Sequence, residues 1–140
     1  MRDLLCIVIG VAMATASAAK ADPCEAIPDK GLMPPSLSPG ARFAGPVVYV
    51  GDGDGLCVAV GQGAQNWVEV RLSDFYAPEL REPGGRLAKS ALERIASGKR
   101  AVCVADHRSH DRVVARCLID GFSIGDRMRA AGVREGGNGR

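Results

Sequence analysis

The sequence predicts an α+β domain: a five-stranded β-barrel of the OB type carrying two helices, in the order β-β-β-α-β-β-α. Three observations lead there. Short apolar runs rich in Val, separated by Gly-rich turns, fill residues 46–72. One stretch of helical spacing follows, and two further apolar runs come after it. The 140 residues support one domain rather than two.

The N-terminus is set aside first. Arg2 precedes an apolar or small run from Leu4 to Ala19, and Ala19-Lys20-Ala21 fits a small-x-small cleavage pattern. Residues 1–21 therefore read as a secretory signal peptide rather than a membrane anchor, because the strongly apolar part falls short of the roughly 18 residues a span needs. The mature chain is expected to begin near Asp22, secreted or in the periplasm, with no membrane span. Residues 22–45 form an arm whose first 20 residues hold five of the eight prolines.

The domain proper is expected over residues 46–133. Pro46–Val50 and Leu56–Val60 are strand candidates joined by the turn Gly51-Asp-Gly-Asp-Gly55, and Trp67–Leu72 alternates as a third strand. From Arg86 to Ser97, Leu87, Ala88, Ala91, Leu92 and Ile95 fall on one helical face, and Gly98 is a natural stop. Ala101–Ala105 and Val113–Ile119 give two more strands. Ser123-Ile-Gly-Asp126 has the form of a capping box and opens a short helix ending near Gly132. Residues 134–140 read as a polar tail.

Export changes the cysteine arithmetic. Cys6 leaves with the signal, and Cys24, Cys57, Cys103 and Cys117 remain, which allows three connectivities. Cys103 and Cys117 lie on consecutive strands expected to pair as a hairpin, leaving Cys24 to tie the arm to Cys57. The spacing Cys103, His107, His110, Cys117 also offers zinc ligands, but it matches no common zinc pattern closely and export favours disulfides.

With 46% hydrophobic and 24% charged residues, the chain is ordinary globular material, and a net charge of +2 is too mild for a histone-like polyanion binder. The charge is uneven, however. Residues 22–79 hold 3 basic and 8 acidic residues, whereas residues 80–140 hold 13 basic and 7 acidic. The first half offers carboxylates for a cation and the second offers cations for an anion such as phosphate. Asp52 and Asp54, two residues apart in the first turn, could share a face and supply the oxygens a hard cation wants. The same residue types also make plain hairpin turns. Arg71 on the third strand, Glu79 eight residues later and Arg112 opening the fifth strand complete the candidates; singly, each also reads as a surface charge.

Taken in order, these pieces resemble the staphylococcal nuclease (thermonuclease) family. The matches are Asp52-Gly-Asp54, Arg71-Leu72, Pro78-Glu79, Gly85-Arg-Leu-Ala88, Leu92, Arg112-Val-Val-Ala115, Asp120-Gly121 and Gly132, covering about residues 46–133. The resemblance implies an OB-fold barrel with helices that cuts DNA and RNA using calcium. It implies that Asp54 is the direct metal carboxylate, with Asp52 beside it. It implies that Glu79 orients or deprotonates the attacking water, and that Arg71 and Arg112 hold the scissile phosphate. That set agrees with the chemistry a phosphodiester requires: a Lewis acid, an activated water and fixed bidentate cations.

The sequence departs from the family pattern in places. Tyr76 stands where the family has a second metal-binding Asp, Gly55 follows Asp-Gly-Asp in place of Thr, and Asp111 replaces the Gly before the second Arg. The long third helix is missing. One carboxylate fewer implies weaker calcium binding. Asp74, two residues before Tyr76, is a candidate replacement ligand, although it starts about 7 Å from the lost position. Two functions follow as expectations: an exported, monomeric, calcium-dependent nuclease, or a nuclease-like OB module that binds nucleic acid, another anion or a protein partner without cutting. A disulfide-stapled envelope protein would explain the cysteines but not the paired Arg and acid positions.

Overall fold

A bend in the first strand organises the sheet. Strand β1 (Arg42–Val50) pairs through Arg42–Pro46 with β4 (Arg100–Ser109), then from Val47 onward with β2 (Gly55–Val58). Pro46 lacks an N–H and sits at this changeover, where its carbonyl accepts from Ala59 N–H. At the preceding position the chains approach so closely that a Cβ on Gly45 would lie 1.9 Å from the Ala59 carbonyl oxygen. A bulge between Val47 and Tyr49 completes the bend.

The computed structural model describes residues 21–24, 27 and 30–137. Residues 1–20 of the expected signal segment and 138–140 of the tail lie outside them. The fold is α+β, with six strands and two helices. β3 (Val68–Leu72), β5 (Arg112–Ile119) and β6 (Phe122–Ser123) complete the order β3-β2-β1-β4-β5-β6. β3 also pairs with β5, in parallel, so the strand bonding runs round a ring of β1, β2, β3, β5 and β4. The other pairs are antiparallel.

Six strands replace the five expected. The addition is a two-residue strand, formed because Asp120 and Gly121 both take positive φ (51° and 78°) and turn β5 back on itself. β1 and β4 also run longer than expected. β1 starts at Arg42, ahead of Gly45-Pro46, and at the end of β4 His107–Ser109 pairs with Arg112–Val114 after a bulge.

Helix α1 (Gly85–Ala96) buries Ala88, Ala91 and Leu92, while Leu87, expected on that face, is 76% exposed. Helix α2 (Ile124–Ala130) begins as its capping sequence predicts, with Ser123 Oγ accepting from Asp126 N–H. Beyond its end at Ala130 the chain turns away at Gly132 (φ 79°), and Val133 N–H donates to the Met128 carbonyl. The core gathers Val47, Leu56, Val70, Leu72 and Phe75 from the sheet side, Leu92 from α1, and Ile124 and Met128 from α2.

Both disulfides join the expected cysteines. Cys103 and Cys117 face each other in the β4–β5 register with Cα atoms 4.1 Å apart. Cys24–Cys57 fastens the arm to β2. The arm is further held by Ile27 N–H donating to the Asp111 carbonyl.

Candidate functional site

The turn between β1 and β2 carries the acidic pair. Asp52 Oδ1 accepts from Asp54 N–H at 3.1 Å, an Asx-turn that holds the two residues together. Gly53 between them has no room for a side chain: a Cβ there would lie 2.4 Å from the Ala77 Cβ and 2.5 Å from the Ala88 Cβ. The turn is thereby wedged against α1 and the loop preceding it. The Asp54 carbonyl accepts from Leu72 N–H, which ties the turn to the end of β3.

Asp54 is the one fully buried charged side chain among the described residues. Its Oδ2 accepts from Ala77 N–H at 2.9 Å and lies 3.9 Å from Arg71 Nη2. Burial pushes its carboxyl up from the ordinary 3.8 to about 6; the neighbouring Asp52 adds to the rise, while the Ala77 amide and Arg71 oppose it.

Arg71 reaches this carboxylate because its cross-strand partner is Gly55, which has no side chain to intervene. Arg71 Nε is buried and has no hydrogen-bond partner. A buried donor left without a partner is costly, and an anion such as phosphate would satisfy it.

The parallel β3–β5 register sets Val70 beside Val113 and Arg71 beside Val114. One step back, it sets Arg112 beside Glu69. Val70 and Val113 face the core, so Arg71, Glu69 and Arg112 share the outer face of adjacent strands. Glu79 is exposed, two residues beyond the amide that binds Asp54. Its own N–H donates to Glu82 Oε2, and its carbonyl lies over Gly85, the first residue of α1, where a Cβ would come within 1.9 Å. Asp52, Asp54 and Arg71 are thus brought together, Arg112 shares Arg71's face, and Glu79 borders the same loop.

Asp74 does not join them. Its Oδ2 accepts from Ser123 Oγ and lies 3.5 Å from Arg116 Nε, so the carboxylate is directed to the start of α2. The two-residue alternation that suggested a replacement ligand does not operate, because β3 ends at Leu72.

Two contributors escaped the sequence reading. Glu69 lies between the acidic turn and Arg112. Burial raises its pKa, the charges of Asp22, Asp111 and Asp52 add to the rise, and Arg112 opposes it. The alternation Val68-Glu69-Val70-Arg71 already placed it on Arg71's face. The second contributor is the tail. Glu135 Oε1 accepts from Tyr76 N–H, Gly136 N–H donates to the Tyr76 carbonyl, and Arg129 holds Glu135 through both carboxylate oxygens. A carboxylate thus stands beside residue 76, contributed by residue 135. No local pattern announces a contact across 59 positions.

Among the described residues, Asp22, Cys24 and Cys57 are the group of three potential ligand side chains drawn within 4.8 Å. Its sulfurs form a disulfide, so it offers no thiolate to a metal. Among the same residues, no helix is long and apolar enough to cross a membrane. No protein-family model matches the chain, and no curated protein matches it in sequence.

Proposed function

We propose that this chain is an exported, monomeric, metal-dependent nuclease, that its strand ring is an OB-type barrel, and that it is akin to the staphylococcal nuclease family. One observation carries the reading: a buried carboxylate, Asp54, beside a half-buried arginine, Arg71, whose buried Nε has no partner. Together they offer a hard oxygen for a cation and an unfilled fork for a phosphate within one site.

The donor set fits calcium in part. Asp54 and Asp52 supply two carboxylates on one rigid turn, and water and backbone oxygens would complete the six to eight ligands calcium takes. Bound there, the ion would supply Lewis-acid polarisation of the phosphate. Arg71 and Arg112, fixed on adjacent strands, orient the phosphate and stabilise the charge that develops on its oxygens. Glu79, exposed two residues beyond Ala77, would position or deprotonate water. The two disulfides accord with an exported protein.

The second reading, a binding module without cleavage, is favoured by Tyr76, whose backbone is covered by the tail. Incubation with single-stranded DNA and RNA separates the two. Calcium-dependent cleavage, abolished by chelator and by Asp54→Ala, supports the nuclease. Binding without cleavage at any calcium concentration overturns it in favour of the module.

A further inference from the structure

The arm, β1 and the segment between β2 and β3 enclose a cavity of about 770 Å³. That volume is typical of small-ligand sites. It is not the Asp54 site: Val60 and Trp67 line it beyond the far end of β2–β3, whereas Gly55 and Arg71 pair at the near end. The five residue steps from Gly55 to Val60, at the rise of extended chain, correspond to about 17 Å.

Its lining combines three chemistries. Leu37, Phe43 and Val60 make an apolar floor and wall. Trp67, half-buried, offers an indole to the space, with the side-chain amides of Gln65 and Asn66 beside it. Among the described residues, the charged ones that line the cavity, Arg42 and Arg100, are both cations, and no acidic side chain does. Arg100 stands opposite Pro46 in the β1–β4 register, so the two arginines stand four positions apart on one outer face.

We propose that this cavity binds one end of a single nucleic-acid strand, with a base against Trp67 and the flanking phosphates on Arg42 and Arg100. A flat ring suits the indole and the apolar wall. Amide groups suit the polar edge of a base, and an all-cationic rim suits successive phosphates. The choice of a nucleic-acid strand rests on the nuclease reading; the preference for a flat-ringed anion rests on the lining alone. The arm forms one wall, so the Cys24–Cys57 disulfide acts as a positioning bond for the site.

Trp67 is the sole tryptophan of the chain, so its fluorescence reports the cavity directly. The test is a titration of the full chain with a 5′-phosphorylated tetradeoxyadenylate in chelator, where no cleavage occurs. Saturable quenching is expected, and it should weaken at least tenfold in the Arg42→Ala, Arg100→Ala double variant, whose exposed side chains can be removed without opening the core. An abasic tetramer of the same charge should bind at least tenfold more weakly. Arg71→Ala should leave the quenching in place while lowering cleavage, which keeps the two sites distinguishable. Quenching without cleavage in calcium would sink the nuclease reading alone. The inference fails if there is no quenching, if inorganic phosphate or dodecanoate quenches as well as the tetramer, or if the double variant binds like the parent.

Discussion

Replacing Asp54 by Asn should stabilise the metal-free protein at neutral pH and leave it unchanged in acid. Asn keeps the shape and can still accept from the Ala77 amide, but it carries no charge into the core. A rise in pKa from 3.8 to about 6 corresponds to about 3 kcal/mol. The folded state holds a proton on Asp54 that the unfolded state has already released between those two values. Stability contributed at this position is therefore fully present below about pH 4, falls as pH rises, and is lost above about pH 6. Asp54→Asn does not titrate there, so its advantage should grow from about zero at pH 3.5 to about 3 kcal/mol at pH 7.5. Urea unfolding in chelator at the two pH values measures the difference directly. Calcium at pH 7.5 should then narrow the gap by stabilising only the parent. A variant less stable than the parent at pH 7.5, or one with the same advantage at both pH values, would refute the claim that the buried charge is maintained at the expense of stability.

Three other outcomes are expected. Gly53→Ala drives a methyl into Ala77 and Ala88, and should cost about 1–3 kcal/mol in urea unfolding while lowering any cleavage, because the same displacement moves both aspartates. Tyr76→Asp adds a carboxylate next to Ala77, whose amide holds Asp54, and calorimetry should show calcium binding strengthened by tenfold or more; equal affinity in both proteins would mean that another oxygen, such as that of Glu135 beside residue 76, already serves. Replacing Cys103 and Cys117 together by Ala, which reopens a loop spanning 14 positions, should lower stability by about 3 kcal/mol, measured by urea unfolding.

What the sequence disclosed depended on whether a feature was local. Alternation in Val68–Leu72, helical spacing in α1 and the Ser123 cap are each set by a few neighbouring residues, and each appears where expected. The Cys103–Cys117 pairing was legible because a hairpin register brings opposed residues within disulfide reach. The extensions of β1 and β4 were hidden because their polar or Pro-containing ends form strand only through partners elsewhere in the chain. β6 is too short to show any period, although Asp120-Gly121 between apolar residues is a hairpin signal in its own right. Docking of the tail depends on Gly136 and Gly137 passing close to Pro78 and Ala77, where a Cβ on Gly137 would lie 2.6 Å from the Ala77 carbonyl oxygen. Two glycines in a polar tail otherwise look like linker.

The Asp54–Arg71 pair is a poor device for stability, and that bears on why the turn is built as it is. A buried pair adds little unless its geometry is good and its remaining donors are satisfied. Here the closest approach is 3.9 Å and Arg71 Nε has no partner. Apolar residues of similar volume would serve the core better. Yet the surroundings hold the carboxylate firmly: the Asx-turn from Asp52, the Ala77 amide, the Leu72 amide on the Asp54 carbonyl, and the fit of Gly53 beneath α1. What these contacts maintain is the position of a charge rather than the strength of an ion pair. A fold that fixes a buried carboxylate and leaves its arginine partly unsatisfied is arranged to gain from a third, charged participant. Phosphate on Arg71 and a cation on Asp54 would each remove one of the two deficits. The metal-free protein should therefore be stabilised more by an oligonucleotide and calcium together than by the sum of their separate effects, as read by the urea midpoint. Strict additivity would mean that the two groups act as unrelated surface sites.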